Sequence, residues 1–295
     1  MNARWIAVLP MLLVVNTVYA KAEVTSREYK WLLEPTQFTF QNEESDVERY
    51  TQQAANSITQ TIDRDVTGQA SLNKERLVSY WDVPNTCTLR DLGYSLRERS
   101  NAYDPDDREA TLKYRSVDRF VSAYEDLDSD RKDAESKLED DLVLGEKGAI
   151  TIKVSHSTTL PDYGKTINKV DDIYDDFPGF KDKYGDIDAD VPLQKVGGVT
   201  FYERRYKGQQ IDLGQFDADL VISLWYTSAD PQPDENPVIA EASFDYADAQ
   251  GEYTPKVVQR AQQAFIAMGQ LTPWAKLDGI TKTQFAYQYN PSFCQ

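Results

Sequence analysis

The sequence predicts an α+β fold, in which helices pack outside a mostly antiparallel sheet. Short segments alternate polar and apolar residues with a period of two, which is typical of strands with one buried face. Turn signals such as Gly197-Gly198 and Asp230-Pro231 separate them. These segments are Tyr80–Asp82, Ser95–Arg99, Ala110–Arg115, Lys137–Val143, Ala149–Ser155, Val199–Tyr206, Asp219–Tyr226 and Ile239–Tyr246. The stretch before them, Ser26–Phe40, also reads as extended.

Three regions have helical rather than strand character. The polar stretch Glu43–Val78 spaces apolar residues for one helix face, at Val47, Tyr50, Ala54 and Ile58. A short helix is expected near residues 169–180. A C-terminal helix is expected near 254–268, because Thr254 suits the N-cap and Pro255 suits the first helical position.

The first twenty residues have the layout of a cleavable secretory signal. Arg4 precedes an apolar stretch, Trp5–Val15, and Val18-Tyr19-Ala20 provides a cleavage site. The apolar stretch is shorter than the roughly 20 residues of a membrane span, although an uncleaved anchor is the alternative. We therefore expect a periplasmic or extracellular protein that begins at Lys21.

Charge excludes several classes of partner. The sequence has 32 basic and 49 acidic residues, a net charge of −17, and loss of the signal would make it −18. This balance argues against nucleic acid or an anionic membrane as general partners. The acidic runs, such as Asp104–Glu109 and Asp171–Asp176, are expected to be solvated loops or helix faces.

The two cysteines, Cys87 and Cys294, are expected to form a disulfide in an exported chain, with two free thiols as the alternative. Such a bond would tie the C-terminal tail to the body of the protein. The single histidine, His156, cannot supply a histidine-based metal centre, and two cysteines alone do not make a zinc site.

Basic side chains recur on one face of several predicted strands. Residues two apart on a strand share a face. Seven bases are placed in this way: Lys30, Arg97, Arg99, Lys113, Arg115, Arg205 and Lys207. One interpretation is an ordinary sheet with its polar face in water. The other is a closed barrel whose charged faces point inward and hold a polyanion.

The order of the strand motifs resembles that of a known family. Ser26-Arg27-Glu28-Tyr29-Lys30 is followed by Tyr80-Trp81-Asp82-Val83-Pro84-Asn85, then by Leu96-Arg97-Glu98-Arg99, and then by Thr111-Leu112-Lys113. This succession resembles the CYTH superfamily, the triphosphate tunnel metalloenzymes, and looser matches follow at Lys137–Asp141, Glu203–Lys207 and Glu241–Asp245. Together the motifs cover most of the chain after the signal.

The resemblance implies a single tunnel domain over residues 21–295, with eight antiparallel strands closed into a barrel and helices outside. It implies that six of the bases, Lys30, Arg97, Arg99, Lys113, Arg205 and Lys207, hold phosphate oxygens. Arg115 shares a strand face with Lys113 and is a further candidate. It also implies that acids opposite them hold Mg²⁺ or Mn²⁺, and the candidates are Glu28, Glu139, Asp141, Glu241 and Asp245.

Two positions depart from the family pattern. Ser26 stands where the first strand usually has a Glu, and Ser243 stands where the last Glu-x-Glu motif has its second acid. A hydroxyl brings no negative charge, so affinity for a hard cation should fall. Nucleotide triphosphates are abundant mainly inside cells. Export therefore makes ordinary triphosphatase activity less expected for this protein.

Three functions remain open at this point. The first is a metal-dependent hydrolase of triphosphate or short polyphosphate. The second is a non-catalytic protein that binds a small polyanion, such as tripolyphosphate or an organic phosphate, in the tunnel. The third is a structural or interaction protein whose barrel is filled by internal ion pairs, which would be costly to desolvate.

Overall fold

The computed structural model describes residues 24–248 and 250–295. The predicted secretory signal lies outside these residues. The long strands are β1 (Ser26–Leu33), β2 (Val66–Asp82), β3 (Tyr94–Asn101), β4 (Arg108–Ser116), β5 (Glu135–Leu144), β6 (Ile150–Leu160), β8 (Phe201–Asp212), β9 (Asp217–Tyr226) and β10 (Ile239–Ala247). Two short strands, β7 (Gln194–Lys195) and β11 (Ala275–Lys276), pair at the margins with β2 and β1.

The nine long strands form a closed ring. Their order is β10, β9, β8, β2, β3, β4, β6, β5 and β1, and β1 pairs again with β10. Only the β1–β5 pairing is parallel among the described strands, while the others are antiparallel. The ring thus contains one strand more than the eight expected, because the extended segment at the start of the chain supplies β1.

Helices lie outside the ring or at its ends. They are α1 (Glu43–Ile62), α2 (Thr88–Asp91), α3 (Arg119–Ala123), α4 (Val170–Asp176), α5 (Pro178–Tyr184), α6 (Pro255–Gly269) and α7 (Lys282–Tyr289). The main core packs α1 and α6 against the outward face of β1, where Tyr29 and Trp31 are buried against Phe265. None of the described helices is long and apolar enough to cross a membrane.

The polar stretch near 43–78 is not one helix. Helix α1 ends at Ile62, where Asp63 takes a left-handed conformation (φ 51°), and β2 begins at Val66. The prediction was wrong over Val66–Val78 because the first half of β2 is largely exposed, so few apolar residues mark its period. The region near 169–180 contains α4 and the start of α5, which meet at Phe177 before Pro178.

The chain's C-terminal segment covers one end of the ring. Ala286 and Tyr287 of α7 pack on a cluster that includes Trp225 from the ring wall. The Tyr287 hydroxyl donates to Asp82 Oδ2 over 2.8 Å. Cys87 and Cys294 form the expected disulfide, with Cα atoms 5.2 Å apart across 207 residues of sequence. We call this the closed end and the opposite end the open end.

Candidate anion-binding site inside the ring

Side-chain alternation turns the polar face of the strands toward the ring interior. On β3, Arg97 and Arg99 point inward, while Leu96 is buried in the outer core with Leu112 of β4. On β1, Glu28 and Lys30 point inward for the same reason. An outer apolar face is required to bury the helices, so period-two alternation leaves the charged face inside. The sheet is therefore not an open one with its polar face in water.

The interior contains two adjoining cavities. The inner one has a volume of about 260 Å³ and the one nearer the open end about 470 Å³. They share Glu28, Arg99, Glu241 and Lys282 as common walls. The interior is thus open space rather than a set of filling side chains, which disfavours the structural alternative.

Eleven bases line these cavities, against five acids: Glu28, Glu139, Glu203, Glu241 and Asp245. Six bases lie on the adjacent strands β8, β2 and β3, which we call the basic wall: Lys74, Arg76, Arg97, Arg99, Arg205 and Lys207. The other five are Lys30, Lys113, Arg115, Lys137 and Lys282. All seven bases predicted from the sequence are in this set, so the structure brings them together.

The acidic wall, formed by β5, β1 and β10, lies across the ring from the basic wall. Oxygens of Glu28, Glu139 and Asp141 lie within 4.8 Å of one another. Glu241 and Asp245 also line the interior, but they lie outside this group of three. The five acids named from the sequence are therefore divided between one cluster and two separate positions.

The three clustered acids already have cationic partners. Lys30 Nζ lies 2.7 Å from Glu28 Oε2 and 2.9 Å from Asp141 Oδ1, and so occupies the space between them. Lys137 Nζ lies 2.9 Å from Glu139, and Arg115 Nε lies 3.3 Å from Asp141. The donor atoms are the hard oxygens that suit Mg²⁺ or Mn²⁺, but in this arrangement an ammonium group stands in the cation position.

Burial and charge act in opposite directions on the pKa values here. Burial tends to raise the pKa of Asp141, yet Lys30, Lys113 and Arg115 hold it well below its usual range. Burial lowers the pKa of Lys113 to about 8, although Asp141 opposes this and Arg115 adds to it. Asp141 is consequently an anion at neutral pH, whereas Lys113 loses its proton only slightly above it.

The basic wall is less well neutralised. Arg97 is half-buried and forms no salt bridge with any described residue. Among the described residues its side chain donates only to Thr111 Oγ1, over 3.2 Å, and its Nε has no hydrogen-bond partner. Burial, together with the nearby Arg99, lowers the pKa of Arg97 to about 10. Among the described residues, the Arg205 side chain likewise has a single hydrogen-bond partner, Asn73 Oδ1, at 2.9 Å. Unpaired donors of this kind are suited to an anionic ligand.

Ser26 and Ser243 lie on the acidic wall at positions where a carboxylate would add negative charge. Ser26 is 1% exposed, lies opposite Glu139 in the β1–β5 register, and its Oγ has no partner among the described residues. Ser243 lies opposite Lys30 across the β1–β10 pair. A carboxylate at either position would lie beside the acid cluster, so both serines remove negative charge from it.

Five charged residues that line the cavities were not among the site residues predicted from the sequence: Lys74, Arg76, Lys137, Glu203 and Lys282. Arg76 binds Glu203 Oε2 through Nε over 2.8 Å, and Lys282 Nζ lies 2.9 Å from Glu241 and 3.4 Å from Glu203. Arg76 lay in the stretch read as helix, whereas in β2 it shares the inward face with Tyr80. No pattern in the sequence marks Lys282, because it enters the ring from α7 rather than from a strand.

No family model and no curated protein matches this chain. Among solved structures, it is similar to HpAC1 from Hippeastrum, a suggested adenylyl cyclase with a dominant triphosphatase activity. That match has 12% identity, covers 90% of this chain and 96% of the other, and has a TM-score of 0.45. A suggested adenylate cyclase of Bacillus halodurans matches with 12% identity, 90% and 98% coverage, and a TM-score of 0.37.

Proposed function

We propose that this protein is a diverged, exported relative of the tunnel enzymes that binds a phosphate-rich polyanion inside its ring. The observation that carries the proposal is the interior charge: eleven bases and five acids line the two cavities. The chain as a whole has a net charge of −17. Positive charge is thus concentrated where a ligand would lie.

The character of the bases favours phosphate oxygens. Arginine offers a planar fork of N–H donors that matches phosphate, and Arg97 and Arg205 have donors that no described carboxylate uses. The bases extend from Arg115 near the closed end to Lys207 in the outer cavity. A ligand with several linked phosphates would reach more of them than a single anion would.

Thermal unfolding with tripolyphosphate tests this function. We expect a higher Tm with tripolyphosphate, both in EDTA and with Mg²⁺, because a ligand that binds only the folded state stabilises it. The double variant Arg97→Ala with Arg99→Ala should lose the shift. Lys256→Ala, on the exposed surface of α6, removes one charge elsewhere and should keep it. A wild-type protein that shows no shift with tripolyphosphate would reject the proposal.

A second candidate is metal-dependent hydrolysis of a phosphoanhydride, which the cluster of Glu28, Glu139 and Asp141 favours. A divalent cation there would supply Lewis-acid stabilisation of charge on the phosphates. Lys30 would first have to leave the space between Glu28 and Asp141. The added positive charge would also face Lys113 and Arg115, so we expect weak metal binding unless an anion is bound.

Electron paramagnetic resonance of free Mn²⁺ tests this candidate directly. We expect millimolar or weaker binding to the protein alone. Lys30→Met should increase Mn²⁺ affinity by about tenfold or more, since it removes the competing charge. Tight binding of Mn²⁺ to the wild type, with phosphate release from tripolyphosphate, would favour the enzyme instead.

Export is part of the proposal and is supported by the layout of residues 1–20 and by the disulfide at Cys87 and Cys294. Expression of the full chain in a bacterial host tests it. Mass spectrometry of the periplasmic fraction should find a mature chain that starts at Lys21. An intact N-terminus retained in the membrane fraction would indicate an uncleaved anchor.

A further inference from the structure

A second large cavity lies behind the closed end of the ring. It has a volume of about 680 Å³ and is formed by α7, the C-terminal segment and the adjoining ends of β3, β4 and β6. We call it the rear cavity. Its charged lining side chains are all basic: Arg90, Arg115 and Lys153. In the described part of the chain, no Asp or Glu lines it, which distinguishes it from the ring interior.

Arg115 connects the rear cavity to the interior, because it lines both. Its guanidinium donates through Nε to Asp141 Oδ2 and through Nη1 to Thr283 Oγ1, each over 3.3 Å. Nη2 has no partner among the residues that the structure describes. A guanidinium carries five N–H donors, so Arg115 can bind an anion without giving up its hold on Asp141.

Lys153 stands beside Arg115 on the same face of the sheet. In the β4–β6 register Arg115 lies opposite Ser155, and Lys153 is the diagonal neighbour, at a distance of about 7–8 Å between backbones. Lys153 forms no salt bridge with the described residues, although it is opposite Asp141 in the β5–β6 pair. Two long cationic side chains therefore converge from adjacent strands.

The start of α7 adds donors at the same place. Thr281 is its N-cap and bonds the Gln284 N–H over 3.2 Å, while Thr283 lines both cavities. The cap occupies the Gln284 N–H, which leaves the N–H groups of Lys282 and Thr283 without a partner among the described residues, and the dipole makes this end electropositive. An anion between α7 and the ends of β4 and β6 would meet these groups as well as the two bases.

Two other charged side chains near the cavity, Arg90 in its lining and Asp82, already have partners of their own. Arg90 is partly engaged, since it binds Asp91 and approaches the sulfur of Cys294 at 3.0 Å. Asp82 is buried and bound by Tyr287 and three backbone N–H groups, so it has no free lone pair turned toward the cavity. The remaining charges at the rear are the cations of Arg115 and Lys153 and the carboxyl group of Gln295, the last residue of the sequence, which also lines the cavity.

We propose that the rear cavity is a second oxyanion site, which takes a single orthophosphate-sized anion between Arg115, Lys153 and the first turn of α7. The site is separate from the one that holds the longer polyanion. It shares only its Arg115 and threonine wall with that site, so a variant at Lys153 acts on the rear alone.

Isothermal titration with orthophosphate, carried out on the full chain in EDTA, tests this site. The Arg97→Ala variant weakens the interior and should still bind one orthophosphate. Adding Lys153→Ala to it should weaken this binding about tenfold or more, because a charge-assisted hydrogen bond is lost. Adding Lys256→Ala instead should leave the binding unchanged. If the alanine variant folds poorly, Lys153→Gln replaces it in the same titration, because it removes the charge and keeps most of the length of the side chain.

Tripolyphosphate provides the second arm. The single variant Lys153→Ala should bind it within about twofold of the wild type, since a twofold change is only a small free energy. An equal loss for both anions would mean that the rear cavity is merely the end of one continuous site, and would overturn the proposal. Unchanged orthophosphate binding on loss of Lys153 would overturn it too. If the proposed function of the interior were wrong, the wild type itself would not bind tripolyphosphate, and this result differs from both of the others.

Discussion

The basic wall and the acidic wall of the ring use charge in opposite ways. Asp141 on the acidic wall is 1% exposed and has Lys30 and Arg115 as close partners. On the basic wall, Arg97 has no carboxylate among the described residues, and Arg99 binds Glu109, whose side chain is 34% exposed. Buried, well-paired charges are held for structure, whereas half-buried bases without acids retain donors for a ligand. This difference indicates where an anion binds.

The largest expected effect is on the acidic wall. Asp141→Asn would leave Lys30, Lys113 and Arg115 without their shared counter-charge, and breaking such a buried network costs about 3–5 kcal/mol of unfolding free energy. Asp182→Asn, on the exposed side of α5, is the matched control and should cost less than about 0.5 kcal/mol. Urea unfolding measures both. Equal unfolding free energies for the two variants would show that Asp141 is not part of a stabilising buried network.

The same carboxyl predicts an acid dependence of stability. The folded-state pKa of Asp141 is depressed, so its contribution is present above the unfolded pKa of about 3.9 and is lost as the pH falls below it. The urea midpoint of the wild type should therefore fall below pH 4 more steeply than that of Asp141→Asn. Parallel pH profiles would contradict the strong pairing of Asp141.

A substitution on the basic wall should separate binding from stability. Arg97→Ala removes a half-buried base without a carboxylate partner, so we expect little loss of unfolding free energy, but binding of tripolyphosphate should weaken by about 10–100-fold. Calorimetric titration and urea unfolding of the same preparation measure the two quantities. A variant that lost stability and bound normally would show that Arg97 is structural.

The smallest effect concerns Lys113, which lies between the two walls. Its pKa is about 8 in the protein without ligand, so it carries its charge below that value and loses it above. Affinity for tripolyphosphate should then decrease by less than about tenfold between pH 7 and pH 9, since one charge is lost. Lys113→Met should flatten the profile around pH 8. An unchanged profile would place Lys113 away from the ligand.

Much of the strand framework could be predicted from the sequence, and the reason is alternation. The seven bases on period-two faces all reach the ring interior, and the apolar residues beside several of them, such as Leu96 and Leu112, are buried in the outer core. Closure itself depends on the β1–β10 and β1–β5 pairings, which join segments more than 100 residues apart and leave no local pattern.

The ion pairs inside the ring could not be predicted. Whether an inward acid is free or neutralised depends on register: Lys30 reaches Asp141 because β1 and β5 run in parallel with Glu28 opposite Asp141. Lys282 depends on the path of the C-terminal segment, which the disulfide at Cys294 holds over the closed end. The candidate metal ligands thus looked more available in the sequence than they are in the fold.

A crystal structure of the protein soaked in tripolyphosphate and EDTA would show whether the ring interior holds a polyanion. We expect phosphate density inside the ring, within hydrogen-bond distance of Arg97 and of Arg205, with Lys30 still between Glu28 and Asp141. Density confined to the outer surface, with both arginines as they are in the free protein, would contradict this expectation.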